Sequence, residues 1–118
     1  MWIACLLALL IAGPAFAQGF DLRAGDAPLT GEALRERLTG RTVTFYDDGQ
    51  SEYYPDGRYT YTYAGQGGTA YGYWRIDAEG AVCIDFVNGF ARCDLYVRNA
   101  GRLVLLDAAG ERFPARPE

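Results

Sequence analysis

The sequence contains no histidine, no lysine, one serine and three cysteines in 118 residues. Without histidine there is no imidazole to act as a general base or as the commonest metal ligand. The serine, Ser51, lies in no nucleophile motif. The basic side chains are all arginines without a cluster, and the net charge is −4, which argues against nucleic acid or an anionic membrane as partner. We therefore expect no enzymatic activity, no catalytic residue and no cofactor.

The first seventeen residues, Met1–Ala17, have the features of a secretory signal peptide. Trp2–Ala12 is almost wholly apolar, Gly13-Pro14 interrupts it, and Ala15-Phe16-Ala17 supplies an A-x-A cleavage site. The apolar run is short for a membrane span, and a retained N-terminal anchor is the alternative. We expect a mature chain that begins at Gln18, has no membrane span and is periplasmic or secreted from a bacterium.

Two cysteines, Cys83 and Cys93, remain after this cleavage. An even number of cysteines in an exported chain favours a disulfide. A zinc pair is the alternative, but two thiolates without histidine make a poor site, so we predict no metal. A disulfide of this spacing should stabilise the domain by roughly 2–3 kcal/mol.

The two cysteines lie on opposite arms of a predicted β-hairpin. Asn88-Gly89 between two apolar runs is a strong hairpin signal, because both residues tolerate positive φ. A direct cysteine pair requires a three-residue loop, Val87-Asn88-Gly89. The alternation of apolar residues in the two arms favours an even loop instead. We expect a β-bulge near Arg92 or Asp94 that reconciles the two demands.

The rest of the chain predicts one domain, 29–114, between a flexible lead-in (18–28) and a disordered tail (115–118). Leu29–Leu38 predicts a short helix, with Thr30 as N-cap and Gly40 as its end. About eight short strands follow: Thr42–Tyr46, Ser51–Tyr54, Arg58–Tyr63, Thr69–Asp77, Ala81–Phe86, Phe90–Val97, Arg102–Asp107 and one around Arg112-Phe113. The apolar run Leu103–Leu106 is typical of a strand buried on both sides. This spacing predicts a mainly β fold, an antiparallel meander closed as a barrel or sandwich.

The order of several segments resembles a family of small exported bacterial proteins of unknown function. Those segments are LTGRTV, SEYYPDG, YGYWRID, GAVCIDF with a second cysteine, and GRLVLLDAAG. The resemblance covers Leu29–Phe113 and implies a small calycin-like β-barrel without an assigned catalytic residue. Periplasmic inhibitors of proteases and lysozyme also resemble small disulfide-containing barrels. This is an analogy of architecture.

Tyrosines are the main candidates for a binding surface. Seven of the nine lie in one stretch: Tyr53, Tyr54, Tyr59, Tyr61, Tyr63, Tyr71 and Tyr73. Strand alternation places Tyr59, Tyr61 and Tyr63 on one face, and Tyr71 and Tyr73 on one face of the next strand. If those faces coincide, they form a tyrosine wall with Arg58 and Arg75 nearby. Tyr and Arg are enriched at binding hot spots, whereas cross-strand aromatic pairing is the structural alternative.

Two acidic groups offer other chemistry. Asp85 and Asp94 could approach across the hairpin and share a proton, as a hydrolase would need. Asp47–Glu52 has the oxygen atoms of a calcium loop but lacks the spacing of an EF-hand.

We predict a non-enzymatic, monomeric exported protein that contacts a protein partner or a small ligand through its tyrosine face. An inhibitor of a secreted hydrolase is the alternative, and a hydrolase that uses the aspartate pair is a further one. A lined cavity would favour a small ligand, and a flat exposed patch would favour a protein partner.

Overall fold

The structure, a computed structural model, describes residues 19–118, so the predicted signal peptide lies outside the described residues. One short helix, α1 (Gly31–Leu38), follows a two-residue strand, β1 (Ala27–Pro28). Eight further strands follow: β2 (Arg41–Thr44), β3 (Gln50–Tyr53), β4 (Arg58–Thr62), β5 (Thr69–Ile76), β6 (Val82–Phe86), β7 (Ala91–Asn99), β8 (Arg102–Leu106) and β9 (Arg112–Pro114). From β2 to β9 each strand pairs antiparallel with the next, and the sheet curls into a half-barrel. The predicted mainly β meander behind one short helix is confirmed.

The helix contributes two leucines to the core of the half-barrel. Leu34 and Leu38 are fully buried, one helical turn apart, and pack in the main core cluster. Gly40 follows the helix with φ +71°, a conformation that glycine adopts without a Cβ penalty. Thr30 precedes the helix with an extended backbone, but its side chain makes no capping hydrogen bond. The helix therefore depends on packing more than on its cap. Within residues 19–118, no helix has the length and apolarity to span a membrane.

The hairpin of β6 and β7 has the direct cysteine pair. Cys83 and Cys93 are register partners with Cα atoms 4.0 Å apart, and they form the predicted disulfide. The loop is the three-residue one, with Gly89 at φ +93° and a 2.8 Å hydrogen bond from Phe86 N–H to Phe90 O. The register runs without interruption from Asp85–Ala91 to Val82–Asp94. The expected bulge is therefore wrong.

The conflict in the apolar pattern is resolved by burial on both faces of β7. Tyr96 belongs to the main core, whereas Leu95 and Val97 point to the opposite face. There they pack with two β8 residues in a second core, and Phe20 from the N-terminal segment covers it. Both sets of β7 residues are thus buried without an inserted residue. The second core also confirms that β8 is buried on both sides, as Leu103–Leu106 predicts.

Residues 18–28, expected to be a flexible lead-in, contact the sheet from Phe20 onward. β1 pairs with Arg98 and Val97 of β7. The Asp26 side chain is shielded from solvent and accepts hydrogen bonds at 2.8 Å from Arg112 and Asn99. A single buried carboxylate therefore joins the N-terminal segment to β7 and β9.

The last four residues, expected to be a disordered tail, also contact the domain. Ala115 is buried and forms an isolated β-bridge with Phe45. Arg116 N–H donates to Thr44 O at 2.8 Å, and the Glu118 carboxylate lies 3.0 Å from Arg37. These contacts link the end of the chain to β2 and α1, and so bring the first and last parts of the meander together.

Candidate functional site

The register of β4 with β5 divides the tyrosines between two faces of the sheet. Tyr59 lies opposite Gly72 and Tyr61 opposite Ala70, whereas Tyr71 lies opposite Thr60. Residues that pair directly share a face, so Tyr59 and Tyr61 face the concave interior and Tyr71 faces outward. The two sets do not coincide, and the single tyrosine wall does not form.

A glycine in β5 lets the inner aromatic residues meet. Gly72 pairs with Tyr59 on one side and with Phe86 on the other. A Cβ at Gly72 would run into the β6 backbone at Asp85 O and Phe86 Cα. Because this position has no side chain, the rings of Tyr59 and Phe86 approach across β5 with centroids 6.0 Å apart. The glycine therefore builds part of the aromatic interior.

The concave face contains a cavity of about 180 Å³. Seven of its thirteen lining residues are aromatic. They are Phe45, Tyr53, Tyr59, Tyr61, Tyr63, Phe86 and Phe113. Tyr59, Tyr61 and Tyr63, three of the predicted binding residues, thus come together around one cavity.

Two hydroxyl pairs fix the buried tyrosines of this interior. Tyr59 and Ser51 hydrogen-bond at 2.8 Å, and Tyr53 and Tyr96 at 2.7 Å. Burial raises the pKa of Tyr53, Tyr59 and Tyr96 above its usual value. These phenols therefore stay neutral and serve as hydrogen-bonding groups. Ser51 is thus the hydrogen-bonding partner of Tyr59.

An ion pair on β7 faces the cavity. Arg92 donates from Nε and Nη2 to the two carboxylate oxygens of Asp94, at 2.9 Å each. Asp94 is buried and Arg92 is half-exposed. Burial raises the pKa of Asp94, and the Arg92 guanidinium opposes that rise. The pair places two charged groups in the aromatic interior. Because their charges are opposite, the pair adds little net charge.

A second carboxylate lies at Asp47, in the turn between β2 and β3. Asp47 Oδ1 accepts the Gly49 N–H at 2.9 Å and lines the cavity. The Tyr61 ring packs on Gly49, where the position of an added Cβ would overlap its hydroxyl. Burial raises the pKa of Tyr61, and the nearby Asp47 charge adds to that rise. Asp47 and Tyr61 therefore meet above one glycine.

The remaining predicted residues lie on the outer face. Tyr71 and Tyr73 are 59% and 58% exposed, and Arg58 pairs with Tyr73 in the register. Arg75 Nε lies 3.4 Å from Asp85 Oδ2 on the same outer surface. The structure thus separates Arg58, Arg75, Tyr71 and Tyr73 from the cavity by the thickness of the sheet.

The two carboxylates of the predicted aspartate pair, Asp85 and Asp94, do not come together. Asp85 is exposed, whereas Asp94 is buried and pairs with Val82, three residues from Asp85 along β6. An odd spacing puts the two carboxylates on opposite faces, so they share no proton. Among residues 19–118 the only cluster of metal-ligand side chains is Asp77 with Cys83 and Cys93, and both sulfur atoms are in the disulfide.

Several cavity residues escape the sequence pattern. The sequence predicts strand positions for Phe45 and Phe113, and it offers Asp47 as part of a calcium loop. Arg92 and Asp94 did carry a signal, because the direct cysteine pair fixes a register that turns both of them inward. Taking that register without a bulge would have placed the ion pair in the interior.

Comparison with models of known families, with curated proteins and with solved structures finds no match for this chain.

Proposed function

We propose that this protein is a non-enzymatic binding protein that holds a small ligand in the aromatic cavity of its half-barrel. The observation that carries the proposal is the cavity of about 180 Å³ with seven aromatic lining residues. Concave, mostly apolar pockets with a few placed polar groups are the usual form of small-molecule sites. The polar groups in this cavity include the Tyr61 hydroxyl, the Asp47 carboxylate and the Arg92 guanidinium.

The volume limits the ligand. An apolar cavity of about 150 Å³ is large enough for benzene. Drug-sized ligands occupy roughly 300 Å³ or more. The ligand therefore has the size of one ring or one branched alkyl group, held between the aromatic side chains.

Matched tyrosine variants on the two faces test this proposal. Single-ring and branched-alkyl compounds are titrated into the oxidised protein while backbone amide chemical shifts are recorded. Tyr61→Ala should weaken the binding of any ligand found by about tenfold or more, as hot-spot truncations do. Tyr71→Ala removes the same side chain from the outer face and should leave binding unchanged.

A protein partner is the second candidate function. The exposure of Tyr71 and Tyr73 beside Arg58 on the outer face favours it, because Tyr and Arg are common at protein interfaces. An inhibitor of a secreted hydrolase would be one such protein. In that case Tyr71→Ala would weaken binding of the partner and Tyr61→Ala would not.

We also propose that the protein is exported to the periplasm or the cell exterior. The disulfide between Cys83 and Cys93 is compatible with an oxidising compartment. The apolar segment with its A-x-A site supports cleavage after Ala17. Mass spectrometry of the protein from its native compartment should give an N-terminus at Gln18. A chain that retains Met1 would contradict export by this route.

A further inference from the structure

We propose that the aromatic cavity selects a small organic cation that carries a quaternary or tertiary ammonium group. This inference depends on the proposed function, since it names the ligand class of the same cavity. It rests on two features of the cavity: its aromatic walls, and one negative charge that no basic side chain of the described residues neutralises.

Three charged side chains line the cavity: Asp47, Arg92 and Asp94. Two carboxylates and one guanidinium leave a net charge of −1. Arg92 and Asp94 neutralise each other through two hydrogen bonds of 2.9 Å. Within residues 19–118, Asp47 takes part in no ion pair, and the neighbouring Arg116 is bound by Asp48. The charge available to a ligand is therefore the Asp47 carboxylate.

The aromatic walls suit a cation. The face of an aromatic ring is the negative end of its quadrupole, and ammonium groups bind over such faces. The rings of Tyr61 and Tyr63 meet at 80° with centroids 4.9 Å apart, and those of Tyr59 and Phe86 meet at 74°. All four rings line the cavity, so their planes bound it in more than one direction, as a cage around a rounded ammonium group requires.

An anionic ligand is disfavoured by the same geometry. Arg92 is the only basic side chain lining the cavity in the described part of the chain. Its Nε and one Nη atom are already committed to Asp94. An anion would compete with that carboxylate, which is buried, and would also face the charge of Asp47. Losing the Arg92 contact would leave Asp94 charged and unpaired, which is costly.

Three isosteric probes separate charge from shape: choline, 3,3-dimethylbutan-1-ol and 3,3-dimethylbutanoate. Each carries a branched head of nearly equal size, and they are positive, neutral and negative. Titration into the oxidised protein, followed by backbone amide shifts, measures their relative affinities. Choline should bind at least about tenfold more tightly than the alcohol, as a cation–π contact in a partly desolvated site implies.

Two charge variants assign the preference to one residue. Asp47→Asn keeps an oxygen that accepts the Gly49 N–H, so the turn is retained, and it should remove most of the preference for choline. Asp85→Asn is the matched control. It deletes an exposed carboxylate charge on the outer face of the sheet, opposite Tyr73 and beside Arg75, and leaves the pairing of Arg116 with Asp48 intact. This variant should keep the preference for choline.

The outcomes separate this inference from the proposed function. Equal binding of choline and the alcohol in the cavity overturns the cation preference and leaves a small-ligand site. Tighter binding of the carboxylate overturns it as well, with Arg92 as the recognising group. Equal loss of the preference in Asp47→Asn and Asp85→Asn overturns the assignment to Asp47. If neither these probes nor the panel of compounds binds, both proposals fail.

Discussion

At the scale of single residues, a buried charge can hold distant segments of this protein together. Asp26 illustrates this, since its carboxylate receives four hydrogen bonds. Arg112 donates two, Asn99 one and the Arg23 N–H one, each at 2.8 Å. The hydrogen bonds from Arg112 lower the pKa of Asp26 far below its usual value, against the effect of burial. One aspartate thereby anchors β1 to the end of the meander.

Asp26→Asn should lower the free energy of unfolding at pH 7 by about 1.5–3 kcal/mol, the range for hydrogen bonds to charged groups. The lowered pKa means that the unfolded state binds the proton more readily. The stabilisation is therefore complete above about pH 4 and is lost as the pH falls below it. The variant should lose less stability between pH 5 and pH 3 than the native protein.

Urea unfolding at these pH values measures the effect. Glu36→Gln, on the exposed side of α1, is the control and should follow the native pH profile. Identical pH profiles for Asp26→Asn and the native protein would contradict a stabilising role for the ionised carboxylate.

At the scale of elements, the β6–β7 hairpin determines which side chains reach the cavity. The cysteine pair and the three-residue loop were predictable from Cys83, Cys93 and Asn88-Gly89, and the strand bounds were predicted to within two residues. The register was predictable too, but the expected bulge was not needed. The reason is that the outer face of β7 is buried by Phe20, a contact across 75 or more residues that local alternation does not report. A pattern of period two assumes one buried face, and β7 has two.

The disulfide should contribute measurably to the stability of this hairpin. Replacing both Cys83 and Cys93 by alanine should lower the free energy of unfolding by about 2–4 kcal/mol, because the unfolded chain gains the freedom of a closed loop. The midpoint of urea unfolding of the variant measures this loss of stability, by comparison with the midpoints of the oxidised and the chemically reduced native protein. A variant as stable as the oxidised protein would show that the disulfide adds nothing to the fold.

At the scale of the whole molecule, the sequence predicts the architecture better than the site. Strand alternation and turn chemistry gave the helix, the eight meander strands and their order. They did not show that Tyr59 and Tyr71 lie on opposite faces, since this depends on the β4–β5 register across the loop 63–68. Nor did they show the links of Asp26 and Ala115, which join residues distant in the chain. The bridge between Phe45 and Ala115 brings Phe45 and Phe113 to one concave surface.

A filtered nuclear Overhauser experiment shows whether a ligand lies on the concave face, where the small-ligand site is proposed. Isotope-labelled protein is mixed with the tightest-binding unlabelled compound, and contacts from its methyl protons to aromatic ring protons are recorded. We expect contacts to Tyr59, Tyr61 and Phe86, which line the cavity. Contacts to Tyr71 and Tyr73 alone would contradict the proposed site, because they would place the ligand on the outer face of the sheet.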